Sequence, residues 1–337
     1  MVPFMAQKPD ERYSSETDSL DVNRRQVLQG IGAAGAAATI TTGSASAQGS
    51  DIWKAQAAVT AQEMDDIPIS TQFYSYRSTD LSVPELIQAA ADAGYDAFEP
   101  YSVGAGTNVD PILQAANDTG LEMSSAHISL SEVENNTQAM IDTFSQFGDP
   151  ILIDPGVAPS GGWGDESAVI DLAERFNAAA DQLSDTDLTL GHHNHDAEFA
   201  QIGDTTGYDI FAENLDDQVH IQLDVGWVLV GGADPIRFIA DHPENVQITH
   251  MKNMTVNPQA FTEIHEGDVN MRGVANAIRN VGDPQYLVFE HDEPEDPLHS
   301  MELGAHWLEK VNQPWQPGGI CAIGGADTHP AKLHNPA

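Results

Sequence analysis

Residues 191–199 read GHHNHDAEF, with three histidines, an aspartate and a glutamate within nine positions. A run of this kind is either a metal site or a polar surface loop, and its place in the chain decides between them. With the residues before it, the run completes a short strand over 187–193. Side chains alternate along a strand. His193 and His195 therefore share one face, and His192 and Asn194 share the other. If His193 faces the mouth of a barrel, His192 packs among the helices outside it.

That strand is one of eight that recur with the same punctuation. Short apolar runs at 69–74, 95–99, 121–127, 151–154, 187–193, 219–224, 246–250 and 286–290 each end in a polar residue. Helical segments lie between them. Pro84 and Pro111 open two helices, and Gly94 and Gly120 close them, as expected of Pro in a first turn and Gly just past a last one. Leu86, Ile87 and Ala90 form one face of the first helix; Val169, Ile170, Ala173 and Phe176 form one face of a long helix over 167–183. Further helices are expected over 137–147, 208–215, 235–240, 269–280 and 298–311. Eight strands alternating with eight helical segments is the order of an α/β chain folded as a (β/α)8 TIM barrel. A doubly wound sheet has fewer strands and a Gly-rich phosphate turn after the first, and neither fits. The expected organisation is a signal segment at 1–47, a polar linker at 48–66, the barrel at 67–311 and a Pro- and Gly-rich tail at 312–337. The tail histidines, His329 and His334, are assigned no role.

In such a barrel the active site lies at the C-terminal ends of the strands. The residues there are Tyr74, Glu99, His127, Asp154, His193, Asp224, His250 and Glu290. All are polar, and most can bind a metal or move a proton. Scattered surface charge has no reason to concentrate at this one position of each repeat. GHHNHDAEF is thus the end of the fifth strand and the start of its loop.

Taken in order, QFYSYR, GYDAFEP, SAHI, GHHNHDAEF, QLDVGW, THMKN and VFEHDEP resemble the sugar phosphate isomerase/epimerase superfamily. This is the xylose isomerase-like TIM barrel, which also includes endonuclease IV (the AP endonuclease family 2 fold). The resemblance covers about residues 68–311. Any one motif is weak, whereas seven in order, each at a strand end, are specific. The resemblance implies one divalent metal ion, often manganese in the epimerase branch, held by Glu, Asp, His and Glu from strands five to eight. By position these fall on His193, Asp224, His250 and Glu290, with His193 in place of the first glutamate. Imidazole with carboxylates suits manganese, zinc, cobalt or iron, and suits magnesium less well.

The family chemistry implies an ion that holds a carbonyl and a neighbouring hydroxyl of a sugar or polyol, stabilising the enediolate formed when a C–H proton leaves. Glu290 is the best placed base. Epimerases of the family use a second glutamate on the other side of the carbon. It is missing here, so His193, His195 or Glu198 supplies the other proton. Lys252 shares a face with His250 and is expected to contact a substrate oxygen or an anionic intermediate; the alternative is a solvated lysine. His127 and Glu99 bind sugar hydroxyls or pair with each other. Tyr74, Trp163 and Trp227 offer flat faces to a sugar ring or fill the core. Glu198 serves the substrate, holds a histidine from outside, or is a solvated acid. His265, Glu266 and Asp268 lie in a loop near the rim. The expected catalytic residues are Glu290, His195 and Lys252, and the expected substrate contacts are Tyr74, Glu99, His127, Glu198 and Trp227. The expected activity is a metal-dependent sugar or polyol isomerase or epimerase. A lyase acting on a keto-inositol or a 3-keto-glycoside through the same enolate is the near alternative. A non-catalytic exported sugar-binding protein is the distant one.

Charge narrows the partners. The 337 residues carry 52 acidic and 13 basic side chains, a net charge of −39. Residues 1–47 hold five of those acids and four of those bases, so the remainder keeps −38. At molar salt the Debye length falls to about 3 Å and the self-repulsion is screened, which suits a salt-loving organism. Nucleic acid is excluded as a partner, because phosphate binding needs a basic face. A phosphorylated sugar would also want more arginine at the rim than Lys252 provides, which favours a neutral one. A homo-oligomer is compatible with this reading. Asn23-Arg24-Arg25-Gln26-Val27-Leu28, an apolar run at 31–40 and Ala45-Ser46-Ala47 resemble a twin-arginine export signal, which places the mature protein outside the cell or at its surface. The apolar run is far short of the roughly 20 residues of a membrane span. The single cysteine, Cys321, excludes an internal disulfide and a cysteine-ligated zinc.

Overall fold

The computed structural model describes residues 66–280 and 284–313. The expected signal segment, the linker as far as residue 65, Cys321 and both tail histidines lie outside these residues. Among the described residues, no helix is long and apolar enough to cross a membrane.

One sheet of nine parallel segments makes the barrel wall. Seven strands are continuous. They are Ile69–Gln72, Ala97–Glu99, Ile151–Asp154, Thr189–His193, Val219–Asp224, Val246–Met251 and Tyr286–Phe289. The remaining two segments, Glu122–Met123 and Ser125–His127, are the expected third strand broken at Ser124. The first piece pairs with the second strand and the other with the fourth. Ser124 spans the break, its N–H donating to Phe98 O at 3.1 Å and its carbonyl accepting from Ile151 N at 3.3 Å. Eight strands therefore close the cylinder, with the first paired to the eighth in parallel register.

The helices start and stop where the sequence punctuates. Pro84 lies in the first turn of Val83–Ala93, and Glu85 accepts a hydrogen bond from Ser82 N at 2.8 Å. Gly94 and Gly120 end their helices at φ 98° and 80°, a left-handed conformation that a side chain would strain. The helix expected from residue 137 instead begins at Leu130, capped by Ser129 through Glu132 N at 3.3 Å. Asn136 is non-helical there (φ −130°), so the periodicity starts afresh after it. The last helix is Pro297–Asn312, one residue beyond the expected barrel boundary. Asn312 is buried, donating to Ile67 O at 2.6 Å and accepting from Ile67 N at 3.3 Å. Two hairpins were not legible in the sequence, Gln201–Ile202 with Thr205–Thr206 and Asn253–Val256 with Gln259–Thr262. Nor was the short helix Val225–Val230 after the sixth strand.

Two layers share the burial. The larger apolar core lies between strands and helices, and includes Phe98, Leu152, Leu190, Leu223 and Phe289. A separate cluster of Ile151, Ile153, Ile248 and Val288 plugs the barrel interior. Burying each such side chain stabilises the fold by about 1.5–3 kcal/mol. Interior positions nearer the C-terminal mouth are polar, among them Gln72, Glu99, His193, Gln222 and His250. The plug thus serves as the floor of a polar chamber.

Gly191 shows how tightly the plug meets the fifth strand. A Cβ there would lie 2.6 Å from Ile153 Cδ1 and 2.8 Å from the backbone oxygen of His220. Because one of these is sheet backbone, Gly191→Ala is expected to destabilise by about 1–3 kcal/mol. Denaturant unfolding in molar salt measures it, and an unchanged midpoint would contradict the close approach.

Candidate metal centre and active site

The fifth strand aims its histidines as alternation requires. His192 points outward, fully buried, packed against Trp163, Phe176 and Phe211 with Nδ1 3.2 Å from the Tyr208 hydroxyl. Burial lowers its pKa to about 4, so it is a neutral core residue. Trp163 belongs to the same core. His193 points inward, with Nδ1 3.1 Å from Gln222 Oε1. Gln222 orients it unambiguously. Its Nε2 donates to Glu99, so its Oε1 is left to accept, and Nδ1 of His193 must carry the proton. His193 Nε2 is then a free lone pair, 3.8 Å from Asp224 Oδ2. Burial, with His250 nearby, holds His193 well below its ordinary pKa, which keeps that lone pair available. The same Gln222 oxygen accepts from His127 Nε2 at 2.9 Å.

Asp224 is held at both backbone groups by one side chain. Asn194 Oδ1 accepts from its N–H at 2.9 Å, and Asn194 Nδ2 donates to its carbonyl at 3.2 Å. Asp224 Oδ1 caps the helix Val225–Val230 through Trp227 N at 3.0 Å. Its Oδ2 has no hydrogen-bond donor of good geometry, although Lys252 Nζ lies 2.9 Å away as an ion-pair partner.

His250 lies between two carboxylates, with Nδ1 2.7 Å from Glu290 Oε2 and Nε2 2.7 Å from Glu99 Oε1. Burial opposes its charge, but Glu290 and Glu99 outweigh that and lift it to about 10. Lys252 is almost fully buried, 2.9 Å from Asp224 Oδ2, 2.9 Å from Glu290 Oε2 and 3.1 Å from Asp292 Oδ2. Despite burial, these carboxylates hold it protonated. Burial raises Glu290 as well, yet Lys252 and His250 keep it well below the usual carboxylate range. Asp224, which shares Lys252 with Glu290, is raised to about 6 by burial.

Some of these groups, with others from the rim, line one cavity of about 600 Å³. Tyr74, Tyr101 and Phe261 stand around its mouth, and His127, His193, His195, Lys252, Glu290 and Asp292 line its depth. One donor atom from each of His193, Asp224, His250 and Glu290 lies within 4.8 Å of the others, a spacing that suits one cation. His127, His193 and His250 form a second such group. Local charge also fits. Glu99, Asp224, Glu290 and Asp292 set four carboxylates against Lys252 and His250, an excess of two negative charges that a divalent ion would offset.

A profile of the xylose isomerase-like TIM barrel matches residues 87–311. The chain belongs to that family. No significant match was found among curated protein sequences. Among solved structures it is similar to a sugar phosphate isomerase/epimerase from Parabacteroides distasonis ATCC 8503, at 18% identity and a TM-score of 0.60, over 73% of this chain and 95% of that one. It is also similar to the probable 3-DHS dehydratase of Bacillus anthracis, at 14% identity and a TM-score of 0.60, over 72% and 99% of the two chains. The 3-keto-D-glucoside 4-epimerase of E. coli aligns at 14% identity and a TM-score of 0.53, over 72% and 99%. At these identities the likeness establishes the fold, and each named activity belongs to its own protein.

In this xylose isomerase-like barrel, several expected site residues differ from their expected placement. Tyr74 is not on the first strand, which ends at Gln72. It lies in the turn Phe73–Tyr76, 37% exposed at the mouth, edge-on to Tyr101 and covered by Arg77 at 3.9 Å. Arg77 also gives the rim an arginine that the sequence reading did not place there. Of the two readings of Glu99, contact with sugar hydroxyls or pairing with His127, the second is found: Glu99 is 0% exposed, 3.3 Å from His127 Nε2 and filled by donors from Gln72, Ser125, Gln222 and His250. Asp154 faces outward and accepts from Leu130, Gly156 and Val157 N–H groups. Glu198 is buried behind His195, with Oε1 4.0 Å from His195 Nδ1 and Oε2 unpartnered. Trp227 backs both His195 and Lys252, with its ring centre 5.7 Å from that of His195 and 5.3 Å from Nζ. His265 stacks on Trp307 and Asp268 accepts from Val256 N, so neither reaches the cavity. Gln72, Asn194, Gln222 and Asp292 escaped the sequence reading. The only available signal was parity, since residue 222 shares a face with Asp224 and residue 292 with Glu290.

Two outcomes test this geometry. Gln222→Leu removes the acceptor of two imidazoles and a donor to Glu99. It is expected to weaken binding of a divalent ion by about 10–100-fold, read by calorimetry with manganese chloride; unchanged affinity would show that Gln222 does not set the His193 tautomer. Glu198, raised by burial to about 7 from 4.5, is expected to make the protein less stable as pH rises between those values. The sign follows because the unfolded carboxyl ionises first. Glu198→Gln should lose that decline and be about 1–3 kcal/mol more stable than wild type at pH 8. Parallel pH profiles for the two proteins in denaturant melts would refute the burial argument.

Proposed function

We propose that the protein is a metal-dependent isomerase or epimerase of a sugar or polyol. The observation that carries this reading is the cluster of His193, Asp224, His250 and Glu290, two of which, His193 and Glu290, line an open cavity, with Lys252 set among the same carboxylates. His193 through Nε2, Asp224 through Oδ2, Glu290, and His250 once it has given up a proton, are the residues that would hold one divalent ion. Their mixed imidazole and carboxylate character favours manganese, zinc, cobalt or iron over magnesium. Bound there, the ion would supply positive charge to an enediolate as it forms.

The chain's own residues supply the rest. Glu290 is ionised at neutral pH, and its Oε2 is engaged by His250 and Lys252. Oε1 is therefore the oxygen left to take a proton from a carbon acid above it. Lys252 offers a donor to a substrate oxygen that gains negative charge. His195, partly exposed beside His193, is placed to return a proton from another wall of the cavity. Tyr74, Tyr101 and Phe261 give the mouth apolar faces against which a sugar ring can lie. Export by the twin-arginine route belongs to this reading and rests on residues 1–47 alone.

The test is solvent isotope exchange. Manganese-loaded protein in deuterated buffer and molar salt is incubated with a panel of ketoses and 3-keto-glycosides and followed by NMR. At least one substrate is expected to acquire deuterium at carbon. Glu290→Gln should slow exchange by about 10²–10⁴-fold, and chelation should abolish it. An unsaturated product would reassign the enzyme as a lyase using the same enolate. Absence of exchange with every substrate would overturn the proposal.

A further inference from the structure

Lys252 touches two of the four residues that would hold the cation of the proposed function. Its Nζ is 2.9 Å from Asp224 Oδ2 and 2.9 Å from Glu290 Oε2. Asp224 and Glu290 are both members of the four-residue ligand group. A divalent ion binds carboxylate oxygen at about 2.0–2.2 Å, so an ion held by these residues would crowd an ammonium that touches both. Two cations at such separation repel strongly in a buried site. The third contact of Lys252 is of another kind. Asp292 Oδ2, at 3.1 Å, belongs to a side chain that lines the cavity and is 14% exposed, whereas Asp224 is fully buried. Asp292 is not in the ligand group.

We propose that Lys252 and the divalent ion compete for Asp224 and Glu290, and that Asp292 receives the ammonium when the ion binds. The proposal rests on the metal reading above only for the identity of the competitor. Asp292 is then a positioning residue. It draws Lys252 towards the cavity, where a substrate oxygen lies. Loading the ion and presenting the ammonium become one event, and the unloaded site keeps its carboxylates paired. The neighbours of Nζ support this direction of travel. The Trp227 and Phe261 rings flank it at 5.3 and 5.9 Å, and neither offers it an alternative acceptor.

The competing account makes Lys252 a pillar that keeps Asp224 and Glu290 in place for the ion. The two accounts differ in sign. Calorimetry with manganese chloride alone, on the full chain in molar potassium chloride, measures the difference. Under competition, Lys252→Met binds manganese at least about tenfold more tightly than wild type. Asp292→Asn, which leaves the ammonium on the ligand oxygens, binds about tenfold more weakly. That loss shrinks towards nothing when Lys252→Met is also present, a coupling that mere loss of an acidic charge would not produce. Equal or weaker binding by Lys252→Met overturns the competition and leaves the metal reading standing. Binding by Lys252→Met but not by wild type upholds the competition and sinks the metal-dependent function. Binding by neither protein sinks both. Should Lys252→Met fail to fold, nitrogen-detected NMR of lysine ammonium groups in the wild type decides between the two accounts. The buried Nζ signal is expected to shift on addition of zinc, and an unmoved signal overturns the proposal.

Discussion

An ionised carboxylate at the centre of the barrel governs the rest of the site. Glu99 is fully buried, and hydrogen bonds from Gln72, Ser125, Gln222 and His250 reach it from the first, third, sixth and seventh strands. Taking one charge out of water costs several kcal/mol. Hydrogen bonds to a charged group return about 1.5–3 kcal/mol each, so the arrangement holds only with the whole set in place. His250 and His127 add positive character, and Glu99 settles near 2 although burial pushes it upward. Each donor is thereby fixed in orientation, and each fixes something further. Gln222 sets the His193 tautomer, and His250 turns its other nitrogen to Glu290.

The fold was legible because its signals are steric and periodic. Pro84, Pro111, Gly94 and Gly120 bound their helices for backbone reasons that hold in any context. Alternation separated His192 from His193 before any contact was known, and the two now sit in an aromatic core and a polar chamber respectively. The charged residues of the site were legible because buried acids and histidines at strand ends need a chemical reason. The amides were not. Gln72, Asn194 and Gln222 are as polar as any surface residue, and their weight comes from partners on other strands, far away in the chain. The break at Ser124 is equally silent, since it arises from one residue bonding to two different strands. For Glu99 and Glu198 the choice between a substrate contact and a partner for a histidine stays open in the sequence, because it gives position along a strand but not depth below the mouth.

The acidic composition and the site are linked. Most of the excess charge is solvated, but four carboxylates are gathered around Lys252 and His250 inside the barrel. High salt screens the outer charges and reaches the inner ones far less. The inner cluster must therefore be balanced by fixed cations, which is why a chain so poor in bases keeps a lysine fully buried there.

The clasp between Asn312 and Ile67 joins the first and last described parts of the barrel at its N-terminal face. The cavity opens at the opposite face. Residues 67 and 312 are neighbours in space, so the cylinder has in effect no beginning: its order of strands could start at another loop, with a short peptide bridging the clasp, and every side chain of the chamber would keep its place. Topologically, the cavity end of the molecule is indifferent to which loop at the opposite face the polypeptide begins from.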